Sequence, residues 1–238
     1  MNLKCTDCLN SKFAFYIAAE NGHYECVLQA YEKKYSIDVW ACMAAAKKGH
    51  LKILKFLYSK NFPWYEDTPY YAAKYGQYKC LKFAIKHRCP LNKETIIIAA
   101  KNGEFECLQL LYTELHENKC LWDATVFAAG VQSGKINILK FLYNIKCPLD
   151  ATACIEATNN EYYECIKFLH EIKCPCKHLE ENILNLEEDE ICIICYSRQT
   201  RVKYEPCNHK ICCNLCHEQL IKIKSNCPKC RSIIKNVV

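Results

Sequence analysis

Ala45-Ala46-Lys47-Lys48-Gly49-His50-Leu51-Lys52-Ile53-Leu54-Lys55-Phe56-Leu57 joins a small-residue pair to a glycine and then to an apolar run of helical period. Alanines let neighbouring helices approach, glycine supplies the left-handed conformation that ends a helix, and Leu51, Ile53, Leu54, Phe56 and Leu57 share a face of the next helix. The pattern recurs along the chain at Gly22, Gly49, Gly76, Gly103, Gly134 and Glu161, with intervals of 27, 27, 27, 31 and 27 residues. Ala18-Ala19, Ala72-Ala73, Ala99-Ala100, Ala128-Ala129 and Ala157 precede the other anchors, and Cys26, Ile53, Cys80, Cys107, Ile138 and Cys165 follow the anchors four positions on. Closing segments such as Cys89-Pro90-Leu91, Cys147-Pro148-Leu149 and Cys174-Pro175 stop the second helix of a unit. A period of this length marks stacked helix-turn-helix units.

The rest of the 238 residues agrees with a folded protein of two parts. Apolar residues make up 51% and charged residues 24%, enough for a core and a soluble surface. No apolar stretch approaches the roughly 18 residues of a membrane span, and no export signal opens the chain, so an intracellular, cytoplasmic protein is expected. Without export, the 21 cysteines point to metal ligation and buried thiols rather than disulfides. Residues 179–190 carry six acidic groups and no basic one, marking a linker between a repeat domain at 1–178 and a tail domain at 191–238. The tail has nine bases and two acids, and bound zinc would leave it at about +4, which does not favour nucleic acid as a partner.

Asp67-Thr68-Pro69-Tyr70-Tyr71-Ala72-Ala73-Lys74-Tyr75-Gly76 resembles the first half of the ankyrin repeat, and the stretch from Ala46 to Leu57 its second helix. The resemblance covers roughly residues 11–178, and the copies look most like the shortened ankyrin arrays of large DNA viruses and protists. It implies an all-α solenoid of about six repeats whose variable outer surface binds a protein. Cys89, Cys120, Cys147 and Cys174 share a repeat position with Tyr35 and Phe62, so they are read as core thiols. Cys5 and Cys8 form a lone pair in the N-terminal cap. Trp64 and Trp122 share a position with Leu91 and Leu149 and are expected to pack, while Trp40 is a further candidate anchor. His23 and His50 follow anchor glycines and are read as turn residues.

After the acidic linker stand Cys192-x-x-Cys195, Cys207-x-His209, Cys213-x-x-Cys216 and Cys227-x-x-Cys230. Eight soft donors in pairs suit two tetrahedral zinc ions, because a two-residue gap lets both sulfurs of a turn reach one metal. Cys212 competes with Cys213, but Cys213 keeps the two-residue gap to Cys216, so Cys212 is assigned to packing.

The spacing resembles that of RING fingers, most of all the inhibitor-of-apoptosis type. On that resemblance Cys192, Cys195, Cys213 and Cys216 hold one structural zinc, and Cys207, His209, Cys227 and Cys230 hold the other. The tail is then a small zinc-stabilised α+β RING domain. Ile193, Leu220 and Pro228 match the groove that docks a ubiquitin-conjugating enzyme. Arg231 matches the linchpin arginine that bridges this enzyme and its thioester-linked ubiquitin. The resemblance implies a RING-type ubiquitin ligase whose repeats select a substrate, and the segment 231–238 resembles a strand that builds a RING homodimer. The alternative is a non-catalytic interaction scaffold using the same two parts.

Overall fold

The computed structural model describes residues 12–115, 121–160, 162–175, 192, 202–212, 216–218, 226–227 and 229–237. The chain divides into two units, Met1–Ser133 and Gly134–Val238.

In the first unit four helix pairs follow one another: α1 (Ala14–Glu20) with α2 (Tyr24–Glu32), α3 (Ala41–Lys48) with α4 (Leu51–Ser59), α5 (Asp67–Lys74) with α6 (Tyr78–Lys86), and α7 (Lys93–Asn102) with α8 (Phe105–Leu115). A ninth helix, α9 (Ala124–Gln132), comes after them. The first helices α1, α3, α5, α7 and α9 pack side by side in that order, and so do the second helices α2, α4, α6 and α8. Ala45-Ala46, Ala72-Ala73 and Ala99-Ala100 are completely buried, so the first helices close up with no side chain bulkier than a methyl between them at these points. The second helices contribute the large apolar groups. Ile53, Leu54 and Leu57 on α4 are buried, each worth roughly 1.5–3 kcal/mol of transfer free energy.

The anchor turn repeats closely. Gly49 sits at φ 79°, its N–H donates to Ala46 O at 3.2 Å, and the His50 N–H donates to Ala45 O at 2.9 Å. This double closure satisfies carbonyls that the helix end would otherwise leave unpaired. The His50 ring reaches back to Glu20 O at 3.3 Å, so the turn residue ties its repeat to the preceding one. Asn92 and Asp123 cap α7 and α9, their side-chain oxygens accepting from the N–H groups of Thr95 and Thr125. Among the described residues the connections between repeats carry no strand.

The cysteines of the repeats behave as core groups. Cys26, Cys80, Cys89, Cys107, Cys147 and Cys165 are buried, as is Phe62, while Tyr35 and Cys174 are half-buried. Burial pushes the Cys80 thiol up to about 11 and that of Cys107 to about 12, which keeps them protonated and unreactive. Cys154 departs from the thiols expected of this chain: it is disulfide-bonded. Cys5, Cys8, Cys120 and Cys176 lie outside the described residues. Trp122 is buried and Trp64 half-buried, whereas Trp40 remains 47% exposed.

The second unit begins with α10 (Ile136–Asn144), α11 (Ala151–Asn159) and α12 (Tyr163–Glu171), with α12 packed against both of the others. Asp150 caps α11 by accepting from the Thr152 N–H. A small antiparallel sheet follows, made of β1 (Val202–Glu205), β2 (His209–Cys212) and β3 (Asn236–Val237) in the order β2-β1-β3. Its buried side chains Val202, Tyr204, Ile211 and Cys212 form a core with Cys192, Cys216 and Cys227. Tyr163, the first residue of α12, packs against that core. Among the described residues no helix is long and apolar enough to cross a membrane.

Candidate metal centre

The centre is built on a hairpin. β1 and β2 pair with Tyr204 opposite His209, and the turn between them contains Cys207 and Asn208. Asn208 adopts φ 57°, a left-handed conformation that asparagine tolerates, and the tight reversal lets Cys207 and His209 face one point. The second half comes from the turn beginning at Cys227. Arg231 N–H donates to Cys227 O at 2.8 Å and Cys227 N–H donates to Ser232 O at 2.9 Å, closing a loop that carries Cys230. The loop is fastened to the sheet where Lys235 N–H donates to Glu205 O at 2.9 Å and β3 pairs with β1.

These two turns bring the donor atoms of Cys207, His209, Cys227 and Cys230 within 4.8 Å of one another. His209 Nδ1 lies 3.6 Å from Cys227 Sγ. A tetrahedral zinc with sulfur at about 2.3 Å and nitrogen at about 2.0–2.1 Å requires a sulfur–nitrogen edge of about 3.6 Å, so the donor set fits the ion in chemistry and in spacing. Hydrogen bonds from Ser232, whose Oγ stands 3.2 Å from Cys230 Sγ, lower the Cys230 thiol to about 6, toward the thiolate a metal needs. Three sulfurs and one imidazole fill a tetrahedron, leaving no open position. Zinc here would supply cohesion rather than catalysis.

Of the other four expected ligands, Cys192 and Cys216 are buried together in the sheet core, and Cys195 and Cys213 lie outside the described residues. Cys212 is buried with its sulfur 2.8 Å from the Tyr204 hydroxyl, which also lies 3.2 Å from His217 Nδ1. Burial raises the Tyr204 hydroxyl far above the ordinary phenol range, so it stays protonated. No motif or spacing in the sequence marks this link between β1, β2 and the segment around His217. Arg231 is exposed beside Cys230, at φ 62°. Ile193, Leu220 and Pro228 lie outside the described residues.

A family model described as zinc finger, C3HC4 type (RING finger) matches residues 188–237, and one described as ankyrin repeats (3 copies) matches 15–95 and 42–119. Among curated proteins the chain is similar to E3 ubiquitin-protein ligase XIAP of Xenopus tropicalis, 37% identical over 57 residues, or 24% of this chain and 11% of that protein. It is 35% identical over 60 residues to Baculoviral IAP repeat-containing protein 3 of Homo sapiens, covering 25% of this chain and 9% of that one. It is also 39% identical over 46 residues to Putative RING finger protein 157L of Invertebrate iridescent virus 6, covering 19% and 28%. The chain thus spans about a tenth of the length of the first two relatives. Helix pairs on a 27-residue period, a four-donor centre on a hairpin and these matches converge: the chain carries ankyrin repeats followed by a RING finger similar to those of inhibitor-of-apoptosis and iridovirus proteins.

Proposed function

We propose that this chain is a RING-type ubiquitin ligase: its ankyrin repeats hold a protein substrate while the RING finger recruits a ubiquitin-conjugating enzyme loaded with ubiquitin. The observation that carries the reading is the position of Arg231. It stands one residue after a donor of the metal centre, exposed, on backbone held by the Cys227 turn. A guanidinium offers several N–H donors in a rigid plane, which suits bridging two protein surfaces by hydrogen bonds to carbonyls of both.

Zinc, at two sites in this reading, holds the platform together. Cys192, Cys195, Cys213 and Cys216 hold one ion, and Cys207, His209, Cys227 and Cys230 the other. Ile193, Leu220 and Pro228 form the apolar seat of the conjugating enzyme. The ligase forms no covalent bond. Arg231 restrains ubiquitin against the conjugating enzyme, a substrate lysine attacks the thioester carbonyl, an isopeptide bond forms, and the enzyme's cysteine leaves as thiolate. The gain is orientational, since a restrained thioester spends more of its time in an attackable geometry. A second copy of the chain, joined through the 231–238 segment, completes the reading.

Arg231→Ala tests it. The variant should keep the wild-type zinc content and yet discharge a ubiquitin-loaded conjugating enzyme onto free lysine at least tenfold more slowly. Equal discharge by variant and wild type would remove Arg231 from the reaction.

A further inference from the structure

The outer faces of α4 and α6 carry a charge arrangement that helix stability does not favour. Lys52 and Lys79 occupy the first turns of these helices, and neither first turn contains an acid. The aligned dipoles of a helix place positive charge at that end, so a lysine there is disfavoured and a glutamate favoured. Other repeats follow the favoured choice at the same position: Glu25 on α2, Glu106 on α8 and Glu164 on α12. One turn further on, Lys55 and Lys82 add a second pair on the same face. All four lysines are exposed, and none forms an ion pair with a carboxylate among the described residues.

The ammonium groups of three of them lie near rings. Lys52 Nζ lies 3.7 Å from the centre of Tyr24, Lys82 Nζ 5.8 Å from Tyr78, and Lys55 Nζ 6.0 Å from Phe83. The rings are themselves locked edge to face, Tyr24 on Phe56 at 5.8 Å and Tyr58 on Phe83 at 5.6 Å. Ring contacts restrain these three ammonium groups before any partner arrives and reduce the ordering cost of binding.

We infer that this face of α4 and α6 is a docking surface for an acidic segment of a partner protein. Neighbouring helices lie roughly 10 Å apart, so the four ammonium groups match carboxylates spread over about four residues of extended chain. Lysine suits that ligand as a set of point charges. Single-stranded nucleic acid would need open ring faces on which to stack bases, and here the rings are engaged by one another and by lysines. The flanking glutamates of α2 and α8 bound the surface and set its length at two repeats. The inference is independent of the transfer reaction.

The test uses the full chain and three fluorescein-labelled probes of equal length: a Glu/Asp-rich peptide, its Gln/Asn counterpart and a single-stranded oligonucleotide. The acidic peptide should bind at least tenfold more tightly than the other two, with an affinity that falls as salt rises. Lys52→Glu combined with Lys79→Glu should abolish this preference while leaving the melting temperature equal or higher, because glutamate suits a helix start. Lys140→Glu combined with Lys167→Glu, on other helices, should leave binding unchanged. Retained acidic-peptide binding in the first variant, or tighter binding of the oligonucleotide than of the peptide by the wild type, would overturn the inference.

Discussion

Arg231 shares its left-handed backbone with residues that end the second helices of the repeats: Lys34, Asn61, Arg88, Lys146 and Lys173, at φ 53–58°. Each closes its helix as glycine closes the first. Lys146 N–H donates to Tyr143 O at 2.9 Å and Cys147 N–H to Leu142 O at 3.0 Å. A lysine pays roughly 1–2 kcal/mol for this conformation. Lys146→Gly should therefore raise unfolding stability by about 0.5–1 kcal/mol in urea titration, net of the unfolded-state entropy glycine adds. Gly49→Ala should do the reverse and lower it by more than 1 kcal/mol, because its methyl would strike the Gln77 side chain as well as the φ 79° backbone. The buried thiols set a pH limit in the same array. Their pKa values, raised by burial to about 11 for Cys80 and Cys165 and about 12 for Cys89 and Cys107, exceed the unfolded value of about 8.5. The unfolded chain then loses protons first as pH rises, so stability is complete below about pH 8.5 and should decline steadily from there toward pH 11 to 12. Thermal melts across that range under reducing conditions would show the slope, and a flat profile would place these thiols in water.

Single residues matter through the elements they close. In the repeats an element is a helix pair held by one left-handed turn, and α4, with no acid in its first turn, relies on its buried face more than on its cap. In the RING finger the elements are too small to stand on apolar burial alone. β3 contributes two residues, and the turn after Cys227 is fixed by a handful of hydrogen bonds, so metal ligation has to supply the cohesion. β3 and the segment leading into it also leave apolar groups in water, with Ile233 67% and Val237 44% exposed. A strand of that kind invites pairing with its like, and sedimentation of the full chain should give a concentration-dependent dimer that Ile233→Lys shifts toward monomer. A monomer at all concentrations would remove the homodimer from the proposed function.

At the scale of the whole molecule, the contact of Tyr163 with the sheet core joins a repeat to the RING finger within the second unit. In the first unit the corresponding Tyr24 packs on Phe56 of the next repeat, so Tyr163 uses the RING core where another repeat would stand. Tyr163→Ala should cost the RING roughly 1–2 kcal/mol, releasing zinc to a chelator about tenfold faster while the helical circular dichroism stays near wild type. Unaltered release would make the contact incidental. The repeats and the donor pairs were legible from the chain alone, because helical periodicity, anchor glycines and two-residue gaps are local constraints written in adjacent residues. Gathering Cys207 and His209 with Cys227 and Cys230 is another matter: residue types named the candidates, and the pairing of β1 with β2 and β3 brought their atoms within 4.8 Å. The Tyr204 link to Cys212, the left-handed lysines, the ring-held lysines of α4 and α6 and the seat of Tyr163 had no sequence signature. Each depends on which surfaces meet once the helices stack, and contact between residues distant in the chain is a property that only the folded arrangement possesses.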